Sequence, residues 1–454
     1  MTDGKAGSLQ RQLMLARICI PVVGILLVVL QWWQNSQLMD EARAASNTMR
    51  QIWMDHPPAF PLDTLAAALY VPTAVSPLGA FDTGDGAWLA QTIWMQLTRV
   101  ARAQDQLGYD IFPAGRQIGL TAAMFAQYII PCLAIWLGWV QRRSKPENNL
   151  QSWISLQTQL VEFGGLLVAV CCLLTALLQR QSLGLEGALR LMLILGAYLI
   201  YSLTAGTLSW LAFQKMPSLP RAVGVLVLFW LFNFTLARPL TVNLAAALFP
   251  LPTLDEYARR LDEEVQRGYG GVESRSDRQR RFYAEILRDY KVSDPKDVPV
   301  NFSALVLQRE ERHYREVGFR MRARLEETFH RQERLEQALA VLFPLVAIQL
   351  SSSALAGTDY KSERGQLAEA DRFWDSVVNK VYADVAVSSG PNAERVQRGS
   401  DYWSQFPFLE LRIPSPAWAL SACWLPVGGM LAWAGGGLLL ALRRPKRTMG
   451  VEAA

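Results

Sequence analysis

Six apolar runs of membrane length, with two long polar stretches set among them, restrict what this chain can fold into more than any other feature. A bilayer core of about 30 Å is crossed by roughly 20 apolar residues in helical form. The runs lie at 18–33, 118–140, 158–178, 189–213, 222–248 and 418–442. The expected fold class is therefore an all-α polytopic membrane protein with six transmembrane helices and two extracytoplasmic domains, the second mainly helical. The predicted organisation is an N-terminal amphipathic segment and first span (1–33), a first periplasmic domain (34–117), a four-span core with a cytoplasmic loop at 141–157 (118–249), a second periplasmic helical domain (250–416), and a last span with a basic tail (417–454).

Average composition blurs these two populations. The chain is 51% hydrophobic and 19% charged, yet the runs are almost free of charge while Leu254 to Arg334 is dense in Arg and Glu. A net charge of +5 does not indicate nucleic acid, because the basic residues are dispersed or flank the spans. All five cysteines (Cys19, Cys132, Cys171, Cys172, Cys423) fall inside apolar runs, where free cysteine behaves as a small hydrophobe. Neither polar stretch contains a cysteine, so no disulfide framework supports either one.

Short loops carry the orientation signal. Lys5, Arg11 and Arg17 precede the first run, Arg142, Arg143 and Lys145 occupy the 141–157 loop, Lys215 and Arg221 flank the 214–221 turn, and Arg443, Arg444, Lys446 and Arg447 follow the last run. With six spans these four clusters share one side, and excess Lys/Arg marks that side as cytoplasmic. The expected location is the bacterial inner membrane, multi-pass, with both termini cytoplasmic. The first run ends in Trp32-Trp33 and has no nearby small-x-small site, so it reads as an uncleaved anchor. Ala338 to Ala356 is also apolar but contains Pro344, Gln349 and three serines. It reads as a helix end followed by an interfacial or tertiary-packed stretch, because a seventh span would place the basic tail on the wrong side.

The first polar stretch is expected to continue the first span as a helix to Met54, to break at a Pro/Gly-rich centre, and to be helical again from Ala87 to Gln106. Trp53, Trp88 and Trp94 in this stretch suit core or interfacial packing. In the second stretch, Thr253 and Glu256 form a capping-box pair that opens a helix. Phe302 to Leu342 has no proline and only Gly318, which predicts one long helix with Leu305, Phe319, Leu325, Phe329, Leu335 and Leu339 as a broken apolar stripe. Glu311-Arg315 and Glu316-Arg320 are expected as i,i+4 pairs on its other faces.

No phosphate-binding loop, nucleophile elbow or metal-ligand spacing is present, and His56, His313 and His330 sit in unrelated contexts. The chain is therefore not expected to catalyse a reaction alone, and no catalytic, cofactor-binding or metal residues are assigned. Ionisable and amide residues within spans are the better candidates, since charge at membrane depth is costly and tends to face a bundle interior, a cavity or a partner. Arg238 is the leading pathway or subunit-interface residue, with Asn233 and Asn243 extending a polar stripe on the same helix, and Glu162 a further candidate. Arg190 reads as an interface anchor.

Several stretches carry a family resemblance: Phe249-Pro250-Leu251-Pro252, Ser351 to Tyr360 with Leu355-Ala356-Gly357-Thr358, Asp371-Arg372-Phe373-Trp374, and Phe406-Pro407 to Pro414. In this order, and with these spans, the chain resembles permease subunits of type-2 ABC exporters, in the branch with a large helical second outer domain (gliding-motility and nitrous-oxide-reductase-maturation permeases). The resemblance implies a cytoplasmic ABC ATPase subunit that carries ATP and Mg, a second permease subunit in a homo- or heterodimer, membrane lipid around the bundle, a periplasmic protein as a further partner, and no nucleic acid. It places Arg142, Arg143, Lys145 and Trp153 at the coupling contact. The acidic stretch common in that loop is replaced here by Gln141 to Asn149. Two other classes are rivals: a non-transporting signal or force relay through the 302–342 helix, and a membrane enzyme such as a lipid-modifying transferase, against which the lack of clustered acid, base or metal residues argues.

Overall fold

The computed structural model describes residues 3–55, 57–66, 69–74, 76–84, 92–96, 99–102, 120–144, 149–178, 184–267 and 273–442. Among the described residues, five helices are long and apolar enough to cross a membrane: α3 (Ala122–Ser144), α4 (Asn149–Leu178), α5 (Gly184–Lys215), the run Leu219–Leu248, and the last, Pro416–Leu442. The chain is a helical, multi-span membrane protein. The first predicted span is the apolar stretch Ile18–Trp33 inside α1 (Asp3–Met54), and its 16 residues reach about 24 Å at 1.5 Å per residue. α1 packs on α4, where Gly24 lies against Leu167 and Cys171. The run 219–248 is not uniform. It comprises α6 (Leu219–Phe232), a π-helical turn at Asn233–Ala237, and α7 (Arg238–Leu248).

The first polar stretch departs from expectation. After α2 (Pro61–Ala66) come β1 (Leu69–Pro72), β2 (Thr92–Gln96) and β3 (Arg99–Arg102), paired antiparallel in the order β1-β2-β3. The helix expected across Ala87 to Gln106 is replaced there by two strands, and 87–91, 97–98 and 103–106 lie outside the described residues. Alternation explains the correction: Ile93 and Met95 are both 0% exposed and face one core, which is the period-2 pattern of a half-buried strand.

In the second polar stretch the local signals act as expected. Thr253 N–H donates to Glu256 Oε2 (3.2 Å) and Glu256 N–H to Thr253 Oγ1 (3.3 Å), a reciprocal capping box at the start of α8 (Leu254–Arg267). Ser274 caps α9 (Arg275–Tyr290) and Asn301 caps α10 (Phe302–Ala340). α10 returns through α11 (Pro344–Ala356) to α12 (Tyr360–Ser388), and α13 (Ser400–Trp403) precedes α14, the last apolar helix (Pro416–Leu442).

α10 and α12 run antiparallel and meet along a seven-residue register, the spacing that keeps one helix face toward one partner. Asn301 N–H donates to Ala386 O (2.8 Å), Gln308 to Asn379 O (3.3 Å), Arg315 pairs with Asp375 (3.0 Å), Arg322 pairs with Asp371, and Phe329 meets the Tyr360 ring at 5.2 Å. Arg315 thus turns across to α12 instead of pairing with Glu311. The Glu316–Arg320 pair is formed (3.1 Å). Of the predicted stripe, Leu325 is in a core with Tyr257 and Met321, whereas Phe319 is exposed.

Among the described residues, two large cores join distant parts of the chain. One runs through the spans and also takes in Leu78 and Phe81 from the first polar stretch and most of α11 from the second. The other joins Trp53, Leu65, Val71, Ile93 and Met95 to Trp374, Val378, Tyr382 and Trp403. The Trp53 ring lies 4.7 Å from that of Trp403 and 6.3 Å from that of Trp374. A backbone bridge Ala59–Arg398, reciprocal bonds between Ala74 and the Gln366 amide, and an Asp63–Arg395 pair (2.7 Å) add to the joint. The two polar stretches fold together.

Candidate functional site

The apolar segment 338–356 marks the site. α10 ends beside α14, where Gly429 leaves room for the backbone of Val341: a Cβ there would lie 2.8 Å from Val341 Cα. The chain turns at Val341–Phe343 and goes back as α11, buried along nearly its whole length against α5 and α14. Its backbone at the turn is satisfied locally, and Trp433 Nε1–H donates to Val341 O (2.9 Å). Irregular backbone at this depth is tolerable when protein surrounds it. Pro344 suits the first turn of α11, because the missing N–H is one that no helix uses.

α11 stops in a left-handed turn. Gly357 has φ +72°, Thr358 N–H returns to Ser353 O (2.9 Å) and Gly357 N–H to Ala354 O (3.1 Å), which completes a Schellman closure. Arg190 on α5 is 3% exposed and donates to Leu355 O (2.7 Å) and to Pro414 O, tying the end of α11 to the chain entering α14. This replaces the expected interface-anchor role: Arg190 is a buried brace on backbone carbonyls. A Cβ on residue 357 would lie 2.9 Å from Ile413 and 3.4 Å from Arg190 Nη1, so glycine is required for both conformation and space.

The return of α11 places Ser352 and Gln349 against a buried row of neutral polar groups. Gln127 Nε2 on α3 donates to Tyr198 Oη (3.0 Å), Tyr198 Oη meets Ser352 Oγ (3.3 Å), and Tyr201 Oη donates to Gln127 O (2.8 Å). Tyr201 contacts the Trp230 ring edge-on at 6.2 Å, and Trp230 lies in the last turn of α6, which leads into the π-helical turn. There Asn233, 1% exposed, uses its Nδ2 on Phe229 O (3.0 Å) and leaves Oδ1 with no partner. Gln127 Oε1 and Trp230 Nε1 are also buried without partners. Arg238 is half-buried, with Nη1 3.4 Å from Gln349 Oε1. π-helical turns widen a helix by one residue and recur at functional sites. The result is a seam of hydrogen-bonding groups inside the bundle, with spare capacity at three of them.

Of the residues singled out from sequence, Asn233 and Arg238 sit at this seam. Asn243 lies on the exposed side of α7, away from the buried row Asn233, Ala237, Thr241, Ala245, and Glu162 is exposed on α4. The coupling candidates gather at the other end of α5. Arg142 donates to Phe213 O, Arg143 stacks over the Trp139 ring at 3.8 Å, and Trp153 Nε1–H donates to Thr207 Oγ1 (3.2 Å), while Lys145 lies outside the described residues. His313 and His330 are on α10 apart from the seam, and His56 is outside the described residues. Sequence reasoning missed Gln127, Tyr198, Tyr201 and Ser352, and gave Arg190 a different role. A signal was available in α5, where Tyr198 to Ser209 puts six polar or aromatic-hydroxyl residues into an apolar run.

Residues 258–409 match the family described as a domain of unknown function, DUF3526. The match runs from within α8 past α13 and therefore contains α10, the return through α11, and α12. No curated protein and no solved structure matches the chain.

Proposed function

We propose that this chain is the transmembrane permease subunit of an ABC transporter, which couples ATP hydrolysis on a separate ATPase subunit to export or to work on a periplasmic partner. The observation that carries the reading is the shared core of the two polar stretches. Trp53 and Trp374 belong to one apolar cluster although four membrane-crossing runs separate them in sequence, as an even number of crossings requires. With Ile18–Trp33 as a sixth crossing, the basic groups Arg142, Arg143, Lys215 and Arg221 fall on the opposite face from that core, the cytoplasmic one. The cytoplasmic end then offers the α3–α4 connection to an ATPase, and the seam lies between that contact and the folded outer body. Nucleotide-driven motion at the α3–α4 end would shift a two-state bundle only through contacts that differ between the states. Arg142 on Phe213 O and Trp153 on Thr207 are the contacts at that end through which such motion would reach α5.

In this reading the chain is non-catalytic by itself, sits in the bacterial inner membrane with both termini cytoplasmic, and pairs with a second permease subunit. Purification from native membranes with a tag on this chain tests it. An ABC ATPase should co-elute, and ATP should change protease sensitivity near 141–157. A preparation with no ATPase, unresponsive to nucleotide when one is added, would remove the reading.

One observation favours a second reading, a force relay to an envelope partner. α10 is a single helix of 39 residues, roughly 58 Å at 1.5 Å per residue, running from the outer core to the bundle interior. Crosslinking from exposed α10 positions separates the two, since a relay predicts one stable protein adduct in the absence of any transported cargo.

A further inference from the structure

The 76–84 loop belongs to the first polar stretch, yet it packs as though it were part of the membrane bundle. Leu78 and Phe81 are 0% exposed and lie in the same continuous core as the spans. The Phe81 ring stands edge-on to the Tyr198 ring at 5.8 Å, beside the phenol that begins the seam, and Phe81 O accepts from Ala123 N–H (3.1 Å) at the start of α3. The loop is a compact unit with its own bonds: Gly79 N–H to Ser76 O (2.9 Å), Phe81 N–H to Leu78 O (3.0 Å) and Gly84 N–H to Asp82 Oδ1 (2.9 Å). It also rests on the end of α11. Gly84 has φ +58°, and a Cβ there would be 2.3 Å from Thr358 O.

We propose that this loop is the outer gate of the seam, with Phe81 as the plug that closes the Tyr198–Gln127–Ser352 end in the resting state. The proposal rests on the permease reading and adds to it a residue that has to leave for cargo to pass. A self-bonded turn moves as a body, so displacement breaks its packing on Tyr198 and its bond to Ala123 and leaves its internal bonds intact. What it uncovers is lined by the Gln127 amide, the Tyr198 phenol and the Ser352 hydroxyl, and the buried carboxylate of Asp82, next to Phe81 on the loop, leaves with it; the lining that remains suits a neutral hydrogen-bonding cargo.

The test is the rate at which a water-soluble thiol reagent modifies Ser352→Cys in the full chain in lipid nanodiscs. Peptide mass mapping reads position 352 separately from the native cysteines. With Phe81 present the position should resist modification. Phe81→Ala should raise the rate about tenfold or more, because a minor open state of at most about a tenth of the population becomes dominant. Phe81→Leu should keep most of the protection. Gly84→Ala, which removes nothing from the core and forces the loop off Thr358, should raise the rate in the same direction and decides the matter if Phe81→Ala does not fold. The gate is overturned if neither Phe81→Ala nor Gly84→Ala changes the rate, or if position 352 is modified rapidly with Phe81 in place. The two ideas fail separately: a gated position 352 in a chain with no ATPase keeps the gate and removes the permease reading, and an ungated one in a chain that co-elutes with an ATPase does the reverse.

Discussion

The seam inside the bundle and the α9–α10–α12 region both bury polar groups, and they do so by opposite means. In the seam the buried partners are neutral, phenols, amides and hydroxyls bonded to one another or to backbone carbonyls, and the one cation that reaches it, Arg238, is only half-buried. Around α10 they are charged, with Arg309 bridging Glu285 and Asp289, Arg315 on Asp375, and Arg322 on Asp371. The desolvation cost of an ion is several kcal/mol even after relaxation, and an amide or phenol costs far less. Ion pairs therefore collect where at least one partner keeps some water, and the interior of the bundle uses hydrogen bonds. Arg190 is the exception that shows the rule, since its charge is spread over two backbone carbonyls at the edge of the bundle.

The comparison can be broken most severely at the joint between the two polar stretches. Trp53→Ala should cost about 3–5 kcal/mol, the range for deleting a large aromatic from a packed core, and should free 57–102 to limited proteolysis. A thermal melt unchanged from wild type would mean the shared core contributes little. Arg190→Met comes next: two buried carbonyls lose charge-assisted bonds, for a loss of about 3 kcal/mol, and the end of α11 should become accessible to exchange while the outer core stays protected. Loss of protection in both regions at once would contradict the view of Arg190 as a local brace.

The third prediction concerns pH. Burial pushes the Glu311 carboxyl up to about 7 from its ordinary 4.5, against the opposing pull of Arg315 on the same helix, with Tyr382 of α12 facing it. Its folded form binds the proton more tightly than its unfolded form. The stability linked to that proton is fully present below about pH 4.5 and is lost as pH rises through about 7, a swing on the order of 3 kcal/mol. Glu311→Gln should be more stable than wild type at pH 8, and the difference should shrink as pH falls toward 5. His313, held down by burial and by Arg278, acts in the opposite sense, so the variant-minus-wild-type difference is the quantity to measure. A difference independent of pH would show that Glu311 is solvated. The smallest effect belongs to the neutral seam. Tyr198→Phe removes bonds to Gln127 and Ser352 and should cost only about 0.6–1.7 kcal/mol, as for hydrogen bonds between other membrane helices.

Elements governed by nearby residues were legible without coordinates. Five spans, the Thr253–Glu256 box, and the long helix from Phe302 depend on contacts within a turn or two. The strands β2 and β3 were not, because Ile93 and Met95 declare their period only against Leu69 and Val71. Within the candidate site, Asn233 and Arg238 stood out as polar residues in an apolar run. Tyr198 and Tyr201 did not, since a tyrosine in a span is ordinarily an interfacial anchor, and only a buried Gln127 makes their hydroxyls partners.

Hydropathy by itself determined that this chain is a helical membrane protein and where the runs lie, because the lack of water in lipid leaves a polypeptide few ways to satisfy its backbone. The tertiary structure decided the rest. It made 344–356 a buried return helix, it turned Arg315 from Glu311 to Asp375, and it set Phe81 over Tyr198. Each of these outcomes depends on which distant group arrives to meet the side chain, and pairings across hundreds of residues leave no local pattern to read.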